Sequence, residues 1–244
     1  MLQRDYKVEL ENRIQFIKDI LVDAHADGIV FGNSGGKDSA LVGILCKLAC
    51  DNVLGVIMPC QSKRNYGEDT VDALEVANQF QIETTTVDLT ATKESIVSAI
   101  HKISEISPMA GNNIAPRLRM TTLYTIAQTG NALVAGTGNK SERTMGYFTK
   151  WGDGACDFNP IADLTATEIF EFLRYLNAPQ SIIEKAPSAG LFDGQTDEQE
   201  MGLTYAQLDH YITTGDAQPA IKNKIDRAYK ISAHKRRMPS LFGE

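Results

Sequence analysis

Four short runs alternate along the chain with stretches of helical periodicity: GIVFGN at 28–33, NVLGVIMP at 52–59, IETTTVDL at 82–89 and NALVAGTGN at 131–139. Their length and β-branched content mark them as strands; glycine closes the first and Pro59 stops the second. Between them, residues 38–49, 66–80, 91–103 and 114–130 read as helices. Val8, Ile14, Phe16, Ile17, Ile20 and Leu21 outline a further helix ahead of the first strand. Such alternation admits few architectures, and the expected one is a parallel sheet with helices on both faces and right-handed crossovers. Ligands in these sheets bind beyond the carboxyl ends of the strands, near the reversal in strand order. GNSGGKDS, MPCQSKR and GTGNKSE should therefore share one rim.

After Trp151 the periodicity weakens. Residues 152–160 read as a loop, 162–179 as a helix ended by Pro179, and 185–202 as a long polar loop of the kind that is usually functional. Residues 204–215 and 219–237 supply two last helices. With no internal repeat or linker, the expectation is a single domain over residues 1–244, a length sufficient for a substantial core.

The formal charge of −7 argues against a nucleic-acid-coating surface, and HKRR at 234–237 is the only dense basic cluster. Cys46, Cys50, Cys60 and Cys156 are too few and irregular for a disulfide scaffold and read as small buried hydrophobes, with zinc ligation or sulfur transfer as the alternatives. The charged N-terminus has no signal core, and no apolar run is long enough to span a bilayer. Cytoplasmic residence without membrane attachment is expected, and the sequon NKS at 139–141 is read as accidental.

The loop after the first strand, SGGKDS at 34–39, looks like a phosphate cradle with a carboxylate inside it. It is not a Walker loop, because Phe31 occupies the required first glycine and Asp38 follows Lys37 where Ser or Thr is needed. Nor does it contain the G-x-G-x-x-G of dinucleotide sites. Backbone N–H groups from Ser34 to Ser39 at a helix N-terminus still suit an oxyanion. Asp38 becomes favourable there if it holds a divalent cation that bridges phosphates, which points to a pyrophosphate–metal site.

S-G-G-x-D-S after a strand resembles the signature of ATP pyrophosphatases, which cleave ATP between the α- and β-phosphates. GNNIAPRLRMTTLY at 111–124, GTGNKSE at 136–142 and GYFTKWGDGACDFNPIADLT at 146–165 resemble, in order, the blocks of NAD synthetases. PSAGL at 187–191, TDEQEMGLTY at 196–205 and HKR at 234–236 continue the likeness over nearly the whole chain. The resemblance implies a Rossmann-like adenine nucleotide alpha hydrolase fold. It also implies an ammonia-dependent activity in which ATP adenylates the nicotinate carboxylate of deamido-NAD and ammonia displaces AMP.

By that resemblance Gly32, Asn33, Ser34, Gly35, Gly36, Lys37, Asp38 and Ser39 would hold ATP, with Thr137 and Ser188. Asp38 and Glu142 would ligate Mg2+; read on its own, Glu142 could equally be a solvated first-turn helix acid. Arg117, Lys150, Asp157, His234 and Lys235 would bind deamido-NAD, while Arg119 is divided between a structural and a ligand role. Asp153 is the candidate for binding and deprotonating ammonium, against a turn-shaping role in the loop. One residue departs from the family pattern: Ala166 stands where lysine is common, leaving Lys37, Lys63 and Arg64 as substitutes for its charge. Only about thirty residues precede the ATP loop, so no fused glutaminase domain is expected, and the donor would be free ammonia or ammonia from a separate partner. A homodimer sharing the deamido-NAD site is implied by the family alone. The rival reading is a tRNA sulfurtransferase using Cys60 or Cys156.

Overall fold

The computed structural model describes residues 4–61, 66–185 and 197–243. Among them, β1 (Gly28–Gly32), β2 (Val53–Ile57), β3 (Glu83–Thr86) and β4 (Ala132–Ala135) form one parallel sheet in the order β3-β2-β1-β4. From β1 the chain runs outward through β2 and β3, then crosses back to place β4 on the opposite flank of β1. The order reverses between β1 and β4, so a crevice must open where their carboxyl ends diverge.

Both sheet faces are covered, and the strand sequences show why. Side chains alternate across a strand. Ile29 and Phe31 enter one core with Ile17, Leu41, Ile44, Val76, Ile169 and Phe172. Val30 enters another with Val56, Met58, Leu89, Ala127 and Val134. The first face carries α1 (Tyr6–Asp23), α2 (Lys37–Ala49), α3 (Glu68–Phe80) and α8 (Ala166–Tyr175). The second carries α4 (Thr90–His101) and α6 (Ile114–Thr129), with the single-turn α5 (Pro108–Asn112) between them. Gly43 lets α2 settle directly on the sheet, since a Cβ there would stand 2.6 Å from the Phe31 ring. The outer edge of β4 is closed by residues 157 and 158, whose backbone exchanges hydrogen bonds with Val134 and Gly136.

A third apolar cluster joins the start of α8 to α10 (Asp197–Met201), α11 (Tyr205–Thr214) and α12 (Pro219–Ile231) through Ala166, Met201, Leu203, Tyr205, Leu208 and Ile225. Under it lies a buried polar tie. Ser141, on α7 (Lys140–Met145), donates to Asp209 Oδ1 at 2.5 Å and accepts from the Ala166 N–H at 3.0 Å. The Thr167 N–H and hydroxyl both donate to the other Asp209 oxygen.

The α/β class and the four parallel strands are as the sequence predicts, and the differences lie in short elements. The segment 162–179 is helical only over Ala166–Tyr175, where a Thr165–Glu168 capping box starts α8. Pro179 does not end that helix but precedes α9 (Gln180–Glu184). Part of the expected loop 185–202 is α10. At the other end, Val8 and Phe16 stay 47% and 44% exposed because the buried stripe of α1 runs through Arg13 and Ile17.

Candidate functional site

The β1–β4 crevice opens into a cleft of about 590 Å³. Its floor is the loop between β1 and α2. The Asn33 N–H donates to Val56 O at 2.9 Å and its amide to Ala73 O at 3.1 Å, tying the loop to β2 and α3. Ser34 and Ser39 share a hydroxyl–hydroxyl bond of 3.0 Å across the turn. Gly36 is the N-cap of α2 and provides no side-chain oxygen to its first turn. The N–H groups of that turn have no side-chain cap and belong to residues that line the cleft, which suits an anion.

Two carboxylates meet above this loop. Glu142 closes a capping box with Asn139: the Glu142 N–H donates to Asn139 Oδ1 and the Asn139 N–H to Glu142 Oε2. The Asn139 amide then reaches Asp38 Oδ1 at 3.0 Å, joining the loop after β4 to the loop after β1. Desolvation, and then the negative charge of Asp38, lift the Glu142 carboxyl well above the ordinary range, against the opposing pull of Lys37. Glu142 is half-buried in the first turn of α7 and lines the cleft. Lys37 sits 2.5 Å from Asp38 Oδ2 and near the rings of Phe170 and Tyr205. Burial opposes its charge, but Asp38, Glu142 and Asp197 hold its pKa above lysine's usual value, so it is a buried cation.

The opposite wall holds Asp153, Arg119 and Lys235. Asp153 keeps an exposed face to the cleft, and its Oδ1 accepts from the Thr149 N–H at 2.9 Å. It therefore both shapes its turn and lines the site. The surrounding protein raises its pKa by desolvation, outweighing the Thr149 hydrogen bonds and the Arg119 charge. Lys235 donates to the Gly146 and Phe148 carbonyls, each at 2.8 Å, and burial lowers its pKa. Arg119 donates to Met58 O at 3.1 Å and also lines the cleft.

The predicted ATP residues Gly32, Asn33, Ser34, Gly36, Lys37, Asp38, Ser39 and Thr137 line the cleft together with the predicted metal ligand Glu142, and Gly35 lies between two of them. Ser188, Lys63 and Arg64 lie outside the described residues. The deamido-NAD set is divided, for only Lys235 lines the cleft. Arg117 is on the outer face of α6, 3.4 Å from the Lys150 carbonyl. Asp157 is exposed and bonded to Tyr124 and the Val134 N–H, and His234 sits beside Lys235 in a one-turn helix at Ala233–Lys235.

Sequence reasoning overlooked Asn139, although N-K-S-E carries the capping-box spacing. It also missed Asp197, which is buried and accepts from the Tyr205 hydroxyl at 2.9 Å. Ala166 is fully packed in the third cluster, so its apolar character has a structural use. The thiols of Cys46, Cys60 and Cys156 are all pushed up by burial, the wrong direction for reactive thiolates.

A parallel sheet with a glycine-rich loop at its switch point, lined there by two carboxylates and a buried lysine, defines an α/β enzyme with an anion-binding cleft at its strand ends. The chain belongs to the NAD synthase family, whose model matches residues 9–239. It is 45% identical to the NH3-dependent NAD+ synthetase of Carboxydothermus hydrogenoformans over 97% of this chain and 98% of that one. Among solved structures it resembles an NMN synthetase from Francisella tularensis, with a TM-score of 0.93 and 33% identity over 99% and 100% of the two chains. It also resembles the NH3-dependent NAD synthetase of Campylobacter jejuni, with a TM-score of 0.80 and 31% identity over 98% and 100%.

Proposed function

We infer that the protein is an ammonia-dependent NAD+ synthetase, a ligase that makes the amide of NAD+ from deamido-NAD at the expense of ATP. The observation that carries the reading is the meeting of Asp38 and Glu142 over an anion-binding helix start. Two carboxylates bridged by Asn139 beside an uncapped helix start fit a shared hard cation. Asp38 and Glu142 would hold Mg2+, which when bound neutralises charge on the departing pyrophosphate.

The first-turn N–H groups of α2, Ser34 and Ser39 receive the β- and γ-phosphates. Lys37 supplies the positive charge that Ala166 does not. A nicotinate oxygen attacks the α-phosphorus and pyrophosphate leaves, giving an acyl adenylate. Ammonia then attacks the acyl carbon, and AMP departs with the former carboxylate oxygen. Asp153, placed in the cleft with a raised pKa, accepts the proton that ammonium must lose. Arg119 and Lys235 place positive charge on the same wall for the anionic acceptor.

The deamido-NAD residues that lie off the cleft support a homodimer in which the dinucleotide extends between subunits. The proposal takes residues 1–244 as one domain that acts on small molecules in the cytoplasm, without nucleic acid or membrane. Among the described residues no helix is long and apolar enough to cross a membrane. The test combines purified protein with ATP, Mg2+, ammonium and either deamido-NAD or nicotinate mononucleotide. The smaller acceptor is included because of the likeness to an NMN synthetase. Faster amidation of deamido-NAD is expected, and preference for the mononucleotide would overturn the substrate assignment.

A further inference from the structure

Lys185 follows α9, far in sequence from the phosphate loop, yet its ammonium ends on that loop. Nζ donates to Gly35 O at 3.0 Å, to Asp69 Oδ1 at 2.8 Å and to Asp72 Oδ2 at 2.5 Å. An ammonium has three N–H donors, so these partners use them all. The lysine and both acids are largely buried, with side-chain exposures of 13%, 12% and 15%. Such charge-assisted bonds are stronger than neutral ones.

What matters is the group being held. Gly35 has φ +71 and no side chain, and a Cβ there would run into the Asp69 carbonyl. Glycine is thus required, and glycine leaves the following peptide free to rotate. In a trans peptide the C=O of one residue and the N–H of the next point in opposite directions. Anchoring the Gly35 carbonyl on Lys185 turns the Gly36 N–H the other way. That N–H faces Ser34 Oγ, a cleft-lining atom, across a long 3.4 Å contact that an anion would readily replace. Rotation of this peptide would instead present a carbonyl oxygen to the phosphates.

We propose that Lys185 is a positioning residue for the pyrophosphate half of the site, fixing the Gly35–Gly36 peptide with its N–H toward the anion. The proposal rests on the pyrophosphate reading given above. It differs from a direct phosphate ligand in that the lysine acts through a backbone carbonyl. It differs from a simple staple of α9 in that its loss is felt selectively by the anion.

The experiment measures binding of magnesium pyrophosphate and of AMP by titration calorimetry, with melting temperatures, for wild type, Lys185→Met, Lys185→Arg and Asp72→Asn. Asp72 does not line the cleft, so its variant loosens the lysine without touching a ligand. Lys185→Met should weaken pyrophosphate about tenfold or more, the scale of one hydrogen bond to a charged group, with AMP binding nearly unchanged. Lys185→Arg should recover part of that loss, and Asp72→Asn should weaken pyrophosphate in the same direction but less. In turnover, KM for ATP should rise more than kcat falls. Unchanged pyrophosphate affinity in Lys185→Met overturns the proposal. So does tighter binding in Asp72→Asn, which would mark the lysine as a ligand held back by that acid, and so does equal loss of both ligands in step with melting temperature. If Lys185→Met does not fold, Asp72→Asn and Lys185→Arg still decide between these outcomes. A wild-type protein that binds no pyrophosphate would overturn the functional reading itself, and the proposal with it.

Discussion

The two halves of the cleft are built differently. The half proposed for ATP is continuous: two loops at the carboxyl ends of adjacent strands, β1 and β4, are joined by the Asn139–Asp38 bond, and Lys37 pairs with Asp38. The half proposed for the acceptor is discontinuous. Asp153, Arg119 and Lys235 line the cleft, while Arg117, Lys150, Asp157 and His234 lie outside its wall. A phosphate cradle needs only backbone N–H groups and a switch point, which one sheet supplies. The proposed dimer would bring the residues off the cleft to a dinucleotide that extends beyond it.

The comparison is broken most severely by removing an acid from the continuous half. Glu142→Gln should lower kcat/KM for ATP by about 10²–10³-fold, the scale of losing one preorganised electrostatic contact in a transition state. A Mg2+ titration should fail to restore it. On the acceptor wall, Asp153→Asn should lower ammonia-dependent turnover about 10²-fold while pyrophosphate binding persists. Because Asp153 is raised by desolvation and a base must be ionised to work, the acid limb of the wild-type profile should lie above the ordinary carboxylate range. Measured at fixed free ammonia, that limb should vanish in the variant.

The discontinuous half is sharpened by Arg117→Ala. It should raise KM for deamido-NAD about tenfold, as expected for one charge-assisted contact, and leave KM for ATP within twofold. Equal effects on both substrates would place Arg117 in the scaffold. Smallest of all should be Asp163→Asn, remote from both halves. Arg13 bonds both Asp163 oxygens, at 2.7 and 2.9 Å, and with Arg4 pulls its pKa down against the upward push of burial. Asp163 is about half exposed, so its loss should lower stability by only about 1 kcal/mol, seen in chemical denaturation, with activity unchanged. A depressed folded pKa stabilises above the unfolded value near 4, and that increment is lost as pH falls through the folded pKa. The wild-type advantage should accordingly disappear in acid.

The continuous half was also the legible one. GIVFGN and NALVAGTGN announce two strands whose carboxyl ends must meet, and SGGKDS and GTGNKSE follow them directly. Local spacing and the switch-point rule suffice for that. Four helices of five or six residues escaped, α5, α7, α9 and α10, because one or two turns show no period. Lys185 escaped for another reason: its partners Gly35, Asp69 and Asp72 are distant in sequence, and nothing near it signals them. The resemblance offered Glu142 as a metal ligand, but the bond from its neighbour Ser141 to distant Asp209 is one that only packing reveals.

The central claim is that the cleft breaks ATP at the α-phosphorus and passes the nicotinate carboxylate through an acyl adenylate. Deamido-NAD labelled with oxygen-18 in that carboxylate tests it in one turnover with ATP and ammonium. The account predicts NAD+, pyrophosphate and AMP in equal amounts, with one labelled oxygen on the AMP phosphoryl group. ADP and phosphate as products, or AMP without the label, would contradict it.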